Sequence, residues 1–186
     1  HGLKCPIDAQ RRGDLPIFER EETLVRKIFV LCALLLFPVL CAAAPAERWT
    51  EYVNDRFGYS VEHPDIFEEA SKPENGDGVW LSSKDGKYEL TLSGGWNVLG
   101  DDGESRLKSR LENVAHVSVQ ESEKGWYRLV YGNSGKDGAE RVVYEYAVVN
   151  EEAWASFILS WPKDEDARFR PLIARMEKSL SLPKGE

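Results

Sequence analysis

Ser60, His63 and Asp65, within the stretch FGYSVEHPDIF, are of the types that nucleophilic hydrolysis requires: a hydroxyl, an imidazole base and a carboxylate to orient it. Their spacing argues against that use. If residues 57–63 form a strand, Ser60 and His63 stand an odd number of positions apart and project from opposite faces. Pro64 cannot donate to a sheet ladder and holds His63 extended, so His63-Pro64 reads as a strand terminus. Asp65 is then placed to accept hydrogen bonds from the turn that follows. No G-x-S-x-G elbow occurs elsewhere, and no catalytic residue is assigned.

Metal chemistry finds equally little. After residue 46 the histidines are His63 and His116, in separate segments and without H-E-x-x-H spacing. Asp101-Asp102-Gly103-Glu104 offers hard oxygen ligands of the kind calcium takes, but it lacks the alternating twelve-residue loop. It reads as the cap of a helix, whose amino-terminal partial charge favours acids. The ENGDG at 74–78 lacks the lysine of a phosphate-binding loop. With 27 acids after residue 46, no single carboxylate pair stands out for glycoside chemistry. The residues call for no metal and no cofactor.

The start of the chain has the layout of a secretory signal. Residues 1–24 are polar, carry Pro6 and Pro16, and read as a non-structural upstream segment. Residues 25–46 then supply Arg26 and Lys27, an apolar stretch over 28–40, and Ala44-Pro45-Ala46 as a cleavage site with Glu47 as the new terminus. The alternative is an uncleaved anchor over 28–46; Pro38 and Pro45 weaken it, since a spanning helix wants roughly 20 apolar residues. Neither Cys32 nor Cys41 follows a lipoprotein pattern. Cys5, Cys32 and Cys41 all lie in this part, so an exported domain of residues 47–186 must rest on its core, without disulfides, thiol catalysis or cysteine zinc sites.

That domain carries 18 Lys and Arg against 27 Asp and Glu, a net charge of -9. Such a surface argues against nucleic acid or an anionic membrane as partner. Alternation of period two dominates it. Phe57, Tyr59 and Val61 share a face; Val79 and Leu81 follow, then Tyr88, Leu90 and Leu92 after a turn at Lys84-Asp85-Gly86-Lys87. Val117 and Val119 mark a further strand, and Tyr127, Leu129 and Tyr131 the next. Val142, Tyr144, Tyr146 and Val148 come after a turn at 135–138, and Ala155, Phe157, Leu159 and Trp161 close the series. Short links make neighbours antiparallel.

The late strands are apolar on both faces, through Val143, Ala147, Val149, Trp154 and Ile158, so something covers each side. Two helices are available. One spans about 104–114 with Leu107, Leu111 and Val114 at helical spacing. The other carries Phe169, Leu172, Ile173, Met176 and Leu180, begins near 168–170 because Pro171 suits only a first turn, and stops before Pro183. The fold class expected is α+β: an α/β/α sandwich with a twisted antiparallel sheet covered by helices on both faces. Of six tryptophans, Trp154 and Trp161 read as core, and Trp80 and Trp126 as packed under a helix. Trp96, in the loop after Gly94-Gly95, is free to meet a partner, with Asp101 and Asp102 beside it.

Four stretches, FGYSVEHPDIF, ENGDGVWLSSKDGKYELTLSG, YRLVYGNSGKDGAERVVYEYAVVN and FILSWPKDEDARFRPLIARMEKSL, occur in an order that resembles the PsbP-like family, the Mog/PsbP fold. The likeness spans about residues 50–182. It implies the same α/β/α sandwich, and a role in binding or assembly, since its members include a photosystem II extrinsic subunit, a nuclear-transport factor and bacterial envelope proteins. No partner-contacting residue of those members is matched here. The expected function is therefore an exported, non-catalytic binding or assembly module whose partner is an envelope protein, without membrane insertion after signal cleavage. The alternative is a glycan- or small-molecule-binding or hydrolytic domain, with Trp96 as stacking platform and an acid nearby.

Overall fold

A computed structural model describes residues 47–135 and 138–183, which fall within one compact unit, Ala46–Glu186. Residues 1–46, over which an upstream segment (1–24) and a signal (25–46) are expected, lie outside the described residues. The elements run β1 (Trp49–Val53), β2 (Ser60–Pro64), β3 (Phe67–Ser71), β4 (Gly78–Ser83), β5 (Glu89–Trp96), α1 (Gly103–Leu111), β6 (Val117–Glu123), β7 (Trp126–Ser134), β8 (Glu140–Val149) and β9 (Ala153–Pro162). A 3-10 turn, Lys163–Glu165, leads into α2 (Asp166–Ser179).

Seven strands form one antiparallel sheet in the order β3-β4-β5-β9-β8-β7-β6, and β1 and β2 form a separate hairpin. The turns make the local pairings. Gly86 adopts φ +70, and the Asp85 carboxylate accepts from Ser83 Oγ and Lys87 N–H, closing β4 onto β5. Asn150 Oδ1 likewise accepts from the N–H groups of Glu152 and Ala153 between β8 and β9. The central pairing, β5 with β9, joins segments separated by α1 and three strands.

Alternation then sorts the side chains. On one face Val79, Leu81, Leu90, Leu92, Phe157, Leu159 and Trp161 meet Phe169, Leu172, Ile173 and Met176 of α2, together with Tyr59 and Val61 at the β1–β2 hairpin. Each such side chain contributes about 1.5–3 kcal/mol by leaving water. On the other face Leu107 of α1 packs on Tyr127, Leu129 and Ala147. Helices thus lie on both faces, in a diagonal arrangement: α1 contacts β6, β7 and β8, while α2 contacts β2 and β9.

That diagonal corrects three expectations. Trp80 is 59 % exposed, because α1 does not reach over β4 on its face of the sheet. Trp126 rests against the Tyr146 ring and the Arg128 guanidinium of the sheet itself. Trp154 is half-buried under Arg106 of α1, whereas Trp161 is fully in the core. Pro171 lies in the second turn of α2, since the helix starts at Asp166; it forgoes a bond to the carbonyl of Ala167. A β-bulge between Val117 and Val119 puts those two side chains on opposite faces, both part-exposed.

Candidate functional site

The Ser60, His63 and Asp65 side chains each serve the fold. His63 is buried, its Nδ1 lies 3.1 Å from the Pro64 carbonyl, and its ring stands edge-on to Phe67. Burial holds its imidazole pKa below the ordinary value. Ser60 Oγ shares a 3.0 Å hydrogen bond with Ser181 Oγ. Asp65 accepts from Thr50 Oγ1 and pairs with Arg48 at 3.3 Å, so it ties β2 back to β1 and does not serve the turn that follows. Among the described residues no group of three or more His, Cys, Asp or Glu is placed to hold a metal ion.

The segment between β5 and α1 is different. It presents Val98 at 85 % exposure and Leu99 at 82 %, beside Trp96 at 53 %. Trp96 is the last residue of β5, and its ring stands edge-on to Phe57 with centroids 5.5 Å apart, so one side of the indole is fixed and the other is open.

What holds this tip is Asn97, 7 % exposed between the three apolar residues. Its amide donates to the carbonyls of Asp101 (2.7 Å) and Asn150 (2.8 Å), and its Oδ1 accepts from Asp101 N–H at 3.0 Å. Its own N–H donates to the Glu152 carbonyl at 2.7 Å. Gly100, at φ +68, closes the turn by donating to the Asn97 carbonyl. Leu99 and Val98 therefore stand out from a tight, internally bonded turn.

Asp101 and Asp102 lie at its base. Asp102 caps α1: its Oδ1 accepts from Ser105 N–H, and Ser105 Oγ accepts from Asp102 N–H, both at 2.9 Å. The Ser105 N–H bond, followed by one from the Ser105 hydroxyl to the same Oδ1 at 2.8 Å, holds its carboxyl below the usual carboxylate range. Asp101 faces Arg106 at 3.9 Å. Both line a depression of about 670 Å³ with Glu151, Glu152 and Lys124, in which Trp96 takes no part. The three residues singled out by sequence thus occupy one end of the sheet but two adjoining surfaces. Sequence reasoning missed Asn97, Val98 and Leu99. The available signal was an apolar pair inside WNVLGDD that fits neither a strand nor a helix period.

Asn97→Ala is expected to lower stability by about 1–3 kcal/mol, because buried partners lose their bonds. The local readout is amide exchange. The Asp101 N–H, held by Asn97 Oδ1, should exchange much faster, while the amides of β9 keep protection in proportion to global stability.

No protein-family model matches the chain, and no curated protein sequence matches it. Solved structures do. The solution structure of cyanobacterial PsbP (CyanoP) from Synechocystis sp. PCC 6803 superposes with a TM-score of 0.57 at 14 % identity, covering 79 % of this chain and 99 % of that one. A Bacteroides thetaiotaomicron VPI-5482 protein reaches 0.47 at 14 % identity, over 68 % of this chain and 45 % of that one. LpqN of Mycobacterium tuberculosis, involved in cell envelope biogenesis, reaches 0.46 at 14 % identity, over 74 % and 92 %. At such identities the likeness speaks to architecture alone: the chain has a PsbP-like fold.

Proposed function

We propose that this chain is an exported, non-catalytic docking module of the cell envelope, and that it docks by seating Trp96, Val98 and Leu99 in an apolar pocket of an envelope protein. The observation that carries the reading is the Asn97-clamped tip with two aliphatic side chains more than four-fifths exposed. A preorganised apolar projection loses little entropy on binding. The acids at its base, Asp101, Asp102, Glu151 and Glu152, call for a partner pocket rimmed by Lys or Arg and repel an anionic bilayer. Export rests on the 25–46 pattern, and the PsbP-like fold is in keeping with a binding role. No helix among the described residues is long and apolar enough to cross a membrane.

The test is a photoreactive residue in place of Leu99, with the exposed Lys84 position as control, in cells of the native host. One envelope protein cross-linked from 99 and not from 84 is the expected result. Val98→Ser with Leu99→Ser should weaken binding of that purified protein roughly 100-fold, two side chains at about 1.5 kcal/mol each, with an unchanged melting temperature. Equal cross-linking from both positions, or unchanged affinity, overturns the reading. The open side of Trp96 favours a second reading, glycan stacking; indole fluorescence that shifts on titration with envelope glycans, and ceases to in Trp96→Ala, would select it.

A further inference from the structure

A cleft of about 870 Å³ lies at the other end of the sheet, past the carboxyl end of α1 and against the start of β8. β8 runs from Arg141 in this cleft to Val149 beside the docking tip, eight residues or roughly 26 Å away. We propose that this cleft binds a small ligand through a phosphate group.

Charge is the first observation. In a chain of net charge -8, the cleft's described lining holds Arg110, Arg141 and Lys163 with the carboxylate of Glu140. Arg110 is also paired with Glu145 beneath it, which leaves Arg141 as the cation with no ion pair among the described residues. Lys163 and Glu140 pair at 2.7 Å, but both are mostly exposed and can exchange partners.

Placement of the guanidiniums is the second. Arg141 Nε donates to Ser160 Oγ (2.9 Å), and its Nη2 donates to the carbonyls of Lys87 (2.9 Å) and Ser160 (3.1 Å). All three acceptors are neutral, so the side chain is held while its charge stays uncompensated by them. Arg110 is held along the corresponding edge, Nε and Nη2, by the buried Glu145 carboxylate at 2.8–3.0 Å. A guanidinium fork matches phosphate oxygens, and because both side chains are already held in place little rotamer freedom is lost on capture.

His116 supplies the third observation. It is the non-glycine residue at positive φ (+55) among those described, on the cleft lining, with its carbonyl accepting from Gly132 N–H. Such a backbone persists where the surroundings impose it, and it places His116 among the residues that line the cleft. The carbonyl end of α1 opposes an anion, but nine residues make a short dipole that solvent screens, and Arg110 sits in its last turn.

The experiment is a heteronuclear NMR titration of the full chain with inorganic phosphate and with glycerol phosphate, at ionic strength held constant with sodium chloride. Saturable shifts confined to amides near 116–118, 131–134 and 140–142 are expected. Arg141→Gln should weaken binding at least tenfold. Lys163→Gln should weaken it about threefold with an unchanged melting temperature, and carries the test if the arginine variant does not fold. Phosphatidylcholine vesicles with and without phosphatidylglycerol form a second arm: Arg141-dependent binding to anionic vesicles only would make the phosphate a lipid headgroup. Shifts scattered over the surface or without saturation in the first arm, together with no Arg141-dependent vesicle binding in the second, overturn the proposal. So does full affinity in both variants.

Discussion

Arg110→Ala is expected to lower stability by about 3–5 kcal/mol, although the Arg110 side chain is itself 36 % exposed. The loss comes from the partner. Glu145 has 2 % side-chain exposure, in the middle of β8, beneath α1. Its carboxylate takes three hydrogen bonds from Arg110 and one of 2.5 Å from the Tyr127 hydroxyl. Without the guanidinium, a buried anion keeps a single neutral donor, and the desolvation of that charge is no longer offset.

The mutual dependence shows in the neighbours. The Glu145 carboxylate raises the pKa of Arg110, and burial followed by the same carboxylate pushes the Tyr127 hydroxyl well above its ordinary range. Urea denaturation measures the effect. The double variant Arg110→Ala, Glu145→Leu should recover a large part of the loss, because it removes the stranded charge along with its partner. A single variant that loses less than 1 kcal/mol would show that Glu145 finds other compensation.

Gly103→Ala should cost about 3 kcal/mol, against the roughly 1 kcal/mol gain that helix propensity assigns to the same change. The two arguments predict opposite signs, which makes the substitution informative. Gly103 is the first residue of α1, and its N–H donates to the Lys124 carbonyl at 3.0 Å. A methyl group there would lie 2.1 Å from the Glu123 carbonyl oxygen and 2.2 Å from that of Trp126. Both are backbone atoms of the β6–β7 turn and cannot swing aside, so the helix end must move.

Since α1 begins directly after the 96–102 segment, the displacement should also disturb that turn. The denaturation midpoint and the amide shifts of Asn97 and Asp101 are the measurements. A variant at least as stable as the parent chain would mean that the helix start is free to slide.

Much of this architecture is legible in the order of residues. Leu90 and Leu92, or Phe157, Leu159 and Trp161, alternate as a strand with one buried face must, and Phe169, Leu172, Ile173 and Met176 recur as a buried helical stripe must. Gly86 marks a turn, and Pro64 marks the end of β2. These are local requirements of backbone geometry, so neighbouring residues suffice to state them. The two short strands β1 and β3 carried too little alternation to be seen: the apolar residues of β1, Trp49, Tyr52 and Val53, do not recur at every second position, and β3 after Phe67 is mainly polar.

Other features depend on partners far along the chain. Glu145 interrupts an apolar strand for no local reason; its partner, Arg110, is 35 residues away on a helix packed across the sheet. Trp80 is exposed because α1 lies over β6 to β8 and stops short of β4. Val98 and Leu99 face water because a buried asparagine ties their turn to Asn150 and Glu152, beyond three intervening strands. Periodicity states which side of its own element a residue occupies. Only the packing of one element on another decides whether anything covers that side.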